Sequence, residues 1–124
     1  MGFDCSTAST NGSLAYKRAI NAVSNPDEFD INMMVTAGII NGVHSKITNH
    51  AISKCESRGD CFYVVDSTKK GDSIATATGA ISTLDTNYTA TYYPWVKIVD
   101  RATSLPVWVP PSCVLPGVIA YTDK

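Results

Sequence analysis

The chain predicts an α/β fold: a small, mostly parallel β-α-β-α-β sheet flanked by helices, with an antiparallel hairpin arm near the C-terminus. Three observations carry this. Two short apolar runs, Ile31–Val35 and Cys61–Val65, have the length and β-branched content of buried strands. Stretches of roughly a dozen residues with apolar side chains at helical spacing stand before, between and after them. A late segment, Tyr88–Val109, is dense in aromatic and β-branched residues and then stopped by prolines. Strands alternating with helices of that length imply parallel pairing through right-handed crossovers.

Each element follows from its own residues. Residues 1–12, rich in Ser, Thr, Asn and Gly, read as a flexible lead-in, and residues 13–124 as a single α/β domain. From Ser13, Tyr16, Ala19, Ile20 and Val23 fall on one helical stripe. Asn25-Pro26 ends it, because the residue before proline is driven out of the α region. The first strand, Ile31–Val35, is expected to end at Ala37-Gly38. Val43–Cys55 is helical through Ile47, Ala51 and Cys55, with Gly59 as terminator. Cys61–Val65 is the second strand, closed by Asp66. Ser73–Leu84 carries Ile74, Ala77, Ile81 and Leu84 as a third helix, and Tyr88–Val99 reads as one long strand. Asp100–Ser104 is a turn, and Leu105–Val109 returns as the second limb of a hairpin. Pro110-Pro111 blocks further pairing. Ser112 is positioned as the N-cap of a terminal helix, and Pro116 is tolerable only in that helix's first turn.

Composition narrows the function classes. At 124 residues, one domain with a modest core is expected. The 10 basic and 11 acidic residues are scattered, so no basic surface for nucleic acid is indicated. No apolar run approaches the roughly 20 residues that cross a bilayer, and the first residues lack a signal-peptide profile, so membrane insertion is not expected and a cytoplasmic setting is. The four cysteines, Cys5, Cys55, Cys61 and Cys113, then read as reduced thiols, although Cys55 and Cys61 flank one turn and can lie close together. His44 and His50 lie on different helical faces, which leaves no zinc ligand set.

No reaction centre emerges. Asp66 follows a buried strand at its carboxyl end, where ligands sit in open α/β sheets. The alternative reading of the chain is therefore a small flavodoxin-like or receiver-like domain binding a phosphorylated ligand near Asp66. Such a site wants a second acidic cluster and a lysine at a later strand end, and the plainer role of Asp66 is to cap the loop that follows it. A Ser-His-Asp set lacks the Gly-x-Ser-x-Gly elbow, and no phosphate-cradling glycine motif occurs, so neither an enzyme nor a cofactor is expected. Arg58-Gly59-Asp60 reads as a charged turn. Tyr92, Tyr93, Trp95 and Trp108 have only Lys97 and Arg101 as nearby cations in the sequence, which points to packing or a subunit interface over base stacking.

Tyr92-Tyr93-Pro94-Trp95-Val96, Asp100, Val109-Pro110-Pro111-Ser112, Gly117, Ala120 and Asp123 together form a spaced motif. It resembles the signature of contractile-tail sheath proteins, the outer tubes of contractile bacteriophage tails and related injection particles. Asp30–Gly38 is similar to that family's first sheet strand and following loop, and Cys55–Asp66 to its helix-to-strand passage, so the likeness spans roughly residues 13–124. The chain departs from the pattern at Cys113, where glycine is usual, at Pro116, where alanine is usual, and at Ala37, where proline often precedes the glycine. The resemblance implies a non-enzymatic structural subunit, or part of the central α/β domain of one. Such a subunit is assembled in the bacterial host cytoplasm and resides in the virion tail. It polymerises helically with other sheath subunits around the inner tail tube protein, and contraction of that lattice drives the tube through the host envelope. On this reading Tyr92, Tyr93, Pro94, Trp95, Asp100, Trp108, Pro110, Pro111, Ser112 and Gly117 are framework or interface residues, with no catalytic role.

Overall fold

A computed structural model describes residues 4–124. Helix α1 spans Asn11–Ala22, two residues earlier than the apolar stripe predicts, and the amide of Gly12 donates to the Asp4 carbonyl at 2.7 Å. Strand β1 (Met33–Ile40) leads into α2 (Asn41–Arg58), then β2 (Phe62–Asp66), α3 (Ile74–Ile81) and β3 (Thr89–Thr91). The hairpin β4 (Val96–Val99) and β5 (Pro106–Val109) follows, then a 3₁₀ turn at Pro111–Cys113 and α4 (Leu115–Thr122). The α/β fold expected from the sequence is the one observed.

Local chemistry sets the boundaries. Gly38 has φ of 87°, a left-handed conformation that costs glycine little. There β1 bulges and resumes pairing at Ile40, opposite Asp66, so the expected stop at Ala37-Gly38 is a kink inside a longer strand. At the far end of α2, Gly59 takes φ of 75° and its amide closes onto the Cys55 carbonyl at 3.0 Å. Near its start α2 bends at His44, whose Nδ1 accepts from the Ile40 amide at 3.1 Å. Ser73 caps α3, its hydroxyl accepting from the Thr76 amide at 3.2 Å. Pro116 lies in the first turn of α4, where its missing N–H has no intrahelical partner to lose.

The single strand expected over Tyr88–Val99 is two strands in two sheets. β3 belongs to the parallel sheet, ordered β1-β2-β3, and β4 pairs only with β5. Pro94, in a cis peptide bond with Tyr93, separates them. Proline cannot donate to a ladder, so continuous pairing through this point is lost.

The strand order fixes the layers. It runs 1-2-3 without reversal, so successive right-handed crossovers place their helices on the same face. Met34, Tyr63 and Val65 point to that face and pack with Ile20 of α1 and with Ile47, Ala51, Ile52 and Cys55 of α2. α1 and α3 both pack against α2. Met33, Val35, Phe62, Val64 and Asp66 point the other way. Among the described residues the 3₁₀ turn packs on that side and α4 faces it across a groove, with no α4 residue fully buried.

Candidate functional site

The second face of the sheet and the hairpin form one candidate surface. Val64 and Asp66 are covered, whereas Val35 is 41 % exposed and Met33 and Phe62 are half-buried. Parallel sheets ordinarily have both faces covered. A groove of about 510 Å³ runs between Met33 and Phe62 on the sheet and Pro116, Ile119 and Ala120 on α4.

Asp66 organises this side. It is buried, its Oδ2 accepts from the Ser112 hydroxyl at 2.6 Å, and its Oδ1 accepts from the Ser112 amide at 3.2 Å. Burial raises its carboxyl above the ordinary value, and the two bonds from Ser112 oppose that rise. Two expectations are corrected here. Asp66 does not cap the adjacent loop, and Ser112 does not cap the terminal helix. They bind each other across 46 residues and clamp the buried Pro110-Pro111-Ser112 run to the sheet. Gly117, in α4, has open space where a side chain would project.

The hairpin is pinned at its base and exposed beyond. Trp95 Nε1 donates to the Thr68 carbonyl at 2.8 Å, and the Tyr93 hydroxyl donates to the Asp72 carbonyl at 2.9 Å. Its turn is built by Asp100, whose Oδ1 accepts from the Ala102 amide at 3.0 Å and whose Oδ2 accepts from the Thr103 hydroxyl at 2.9 Å. The Ser104 amide donates to the Asp100 carbonyl at 2.7 Å. Beyond the base, Val99 is 65 % and Leu105 62 % exposed and Val107 is also open to solvent, as is Tyr92 just before the base. A lone two-stranded hairpin is marginal in water, so this one depends on its anchors or on a partner.

Trp108 pairs with Lys97 across the hairpin, and the two share a face. Lys97 Nζ lies 5.8 Å and Lys70 Nζ 4.9 Å from the centre of the Trp108 ring, both within cation–π range. Sequence proximity shows only Lys97 and Arg101 near the aromatics. The fold adds Lys69 and Lys70 from the loop after β2, which no local signal announces. Arg58 is more than the charged turn residue its sequence suggests. Its guanidinium is buried and donates to the Val23 carbonyl at 2.8 Å, to the Phe29 carbonyl at 2.7 Å and to both Asp60 oxygens at 2.9 and 3.0 Å.

The remaining titratable groups have structural surroundings. Cys55 and Cys61 are buried, and burial first, then the neighbouring Cys61 thiol, pushes Cys55 up to about 12. All four cysteines are free thiols. His50 Nε2 bonds Asn21 Oδ1 at 2.8 Å, and burial followed by Lys54 and Lys17 lowers its pKa. Among the described residues, no three His, Cys, Asp or Glu side chains gather as metal ligands, and no helix is long and apolar enough to cross a membrane. Neither a protein-family model, nor a curated protein, nor a solved structure matches the chain.

Proposed function

We propose that the chain is a structural assembly subunit of the contractile-sheath type, built to be completed by neighbouring subunits. The observation that carries this is a parallel sheet packed by α1, α2 and α3 on one face and only partly covered by the 3₁₀ turn and α4 on the other, beside a hairpin whose apolar residues face solvent. A surface of this kind is stable in water when another protein covers it. The spaced motif from Tyr92 to Asp123 suggests the family: its Tyr93 and Trp95 anchor the hairpin base, and its Pro110, Pro111 and Ser112 form the clamped run. In that role the subunit packs against its own copies around an inner tail tube, in the virion tail. Its residues act by packing and carry no reaction.

Two features weigh against a phosphorylated ligand at Asp66. Its carboxylate is buried and both oxygens are taken by Ser112. The sheet also lacks the reversal of strand order whose crevice holds ligands in doubly wound folds.

Negative-stain electron microscopy of the protein, alone and mixed with purified inner tail tubes of a contractile particle, tests the proposal. Striated tubes or regularly decorated cores are expected. Bare tubes beside unassociated protein, across salt and protein concentrations, would refute it.

A further inference from the structure

We infer that the basic aromatic groove at the carboxyl end of the sheet receives the acidic loop 25–30 of a second copy of this chain, giving head-to-tail association. The inference rests on the assembly reading above for the nature of the partner, and adds which two surfaces meet.

The groove, of about 290 Å³, lies where the loop after β2 meets the hairpin base, and is lined by Lys69, Lys70, Tyr93, Trp95 and Trp108. That volume falls at or below the roughly 300–1,000 Å³ of small-molecule sites, and suits a side chain better than a cofactor. Trp108 is 46 % exposed with Lys70 and Lys97 drawn toward its ring. Asp72 is the one carboxylate on the lining, and its Oδ2 already accepts from the Lys69 amide at 2.9 Å. The groove therefore presents an aromatic surface edged by three ammonium groups.

The opposite end of the same molecule carries the inverse pattern. Asp27, Glu28 and Asp30 are exposed and flank Phe29, itself 38 % exposed. The loop is held in shape: the Phe29 amide donates to the Asn25 carbonyl at 3.1 Å, the Asp27 amide to Asn25 Oδ1 at 3.0 Å, and buried Arg58 holds the Phe29 carbonyl. A pre-shaped loop loses little entropy on docking. The loop precedes β1 and the groove follows β2, and the two strands are parallel, so the surfaces lie at opposite ends of the sheet. Two different patches at opposite ends make a heterologous contact, which repeats without closing unless a rotation closes it. One aromatic among carboxylates meets another among ammoniums, which sets register and speeds encounter.

A charge-swap experiment tests this on the full chain. One variant carries Lys69→Glu, Lys70→Glu and Lys97→Glu; the other carries Asp27→Lys, Glu28→Lys and Asp30→Lys. All six positions are at the surface, and unchanged circular dichroism and melting confirm folding. Sedimentation velocity on the wild type is expected to give concentration-dependent association that weakens as salt shortens the Debye length from about 10 Å at 0.1 M to about 3 Å at 1 M. Each variant alone is expected to associate at least about tenfold more weakly, because like charges then face each other. Mixing the two variants is expected to restore association, since the reversed loop of one fits the reversed groove of the other.

Wild-type association unchanged in both variants, or a mixture no better than its parts, would overturn the inference. A wild type that stays monomeric while a single-stranded oligonucleotide quenches its tryptophan fluorescence would also overturn it, in favour of nucleic acid in the groove. If both variants still decorate tail tubes as the wild type does, the groove inference fails while the sheath proposal stands. Loss of decoration by the wild type itself marks failure of the sheath proposal.

Discussion

Replacing Ser112 by alanine tests whether one buried hydrogen bond holds the C-terminal segment on the sheet. The hydroxyl bond to Asp66 is 2.6 Å long, in the short range for a hydroxyl on a carboxylate, whereas the amide bond at 3.2 Å lies at the long end of its range. The hydroxyl therefore supplies the larger share, and alanine removes only that. Hydrogen bonds to charged groups contribute about 1.5–3 kcal/mol, and the remaining carboxylate oxygen stays buried. A loss of about 2 kcal/mol is expected, against a total of roughly 6–19 kcal/mol for a chain this long. Urea unfolding should give a lower midpoint with an unchanged slope, and the melting temperature should fall by about 6–10 °C.

The pH dependence separates this account from a simple packing defect. Burial raises the Asp66 carboxyl above its unfolded value, so the folded state binds that proton more tightly. Stability on this account falls as pH rises through the folded pKa, and is recovered as pH falls toward the unfolded value of 3.8. Without the Ser112 hydroxyl the burial effect is less opposed, so the decline with rising pH should be steeper in Ser112→Ala. The gap between variant and wild type should narrow in acid. Hydrogen exchange across Leu115–Thr122 should rise in the variant, because the clamp lies at the root of α4. A penalty below about 0.5 kcal/mol at neutral pH, or one equal in acid and at neutrality, would refute the reasoning.

Arg58→Met is expected to cost about 3 kcal/mol in urea unfolding, because the Val23 and Phe29 carbonyls lose their donor. Asp60→Asn should cost less than about 1 kcal/mol, since that carboxylate is half-exposed. A thiol reagent should modify Cys113 first in the native protein and reach Cys55 and Cys61 only with unfolding, as timed modification and mass spectrometry will report. Gly12→Ala should destabilise by about 1–3 kcal/mol, because a Cβ there collides with the Asp4 carbonyl and lies 2.6 Å from Cys5 Sγ. Gly117→Ala, open and helical, should stabilise by up to about 1 kcal/mol, and melting curves read both.

What the sequence reveals divides along physical lines. Periodicity is a local signal, so α1, α2, α3 and the strand at Phe62–Asp66 are legible from apolar spacing, and Gly59 and Ser73 mark ends by their own chemistry. Long-range polar partners leave no such trace. Asp66 and Ser112 each look like a cap for a neighbouring element, and only the fold joins them. Arg58, beside Gly59-Asp60, looks like a turn residue because charge is usually outside. Nothing local shows that two carbonyls from the segment after α1 converge on it. The aromatic run reads as one strand for a related reason: β propensity continues through Tyr92 and Tyr93, while the break at Pro94 separates residues that belong to different sheets.

The open face itself follows from connectivity. Because β1, β2 and β3 succeed one another without reversal, both crossover helices land on one side, where α1 joins them by packing on α2, and no crossover is left to cover the other. The chain after the hairpin makes up part of that deficit. It does so with a three-residue turn and a short helix that has no fully buried residue, clamped by the hydroxyl and amide of Ser112 on the Asp66 carboxylate. A domain selected to stand alone would be expected to close its second face with apolar contact. Here the closure is local and small, two buried prolines and one serine–carboxylate clamp, and the adjoining hairpin leaves Val99, Leu105 and Trp108 in solvent. This arrangement is economical if a neighbouring subunit supplies the missing layer, and hard to reconcile with a solitary ligand-binding domain.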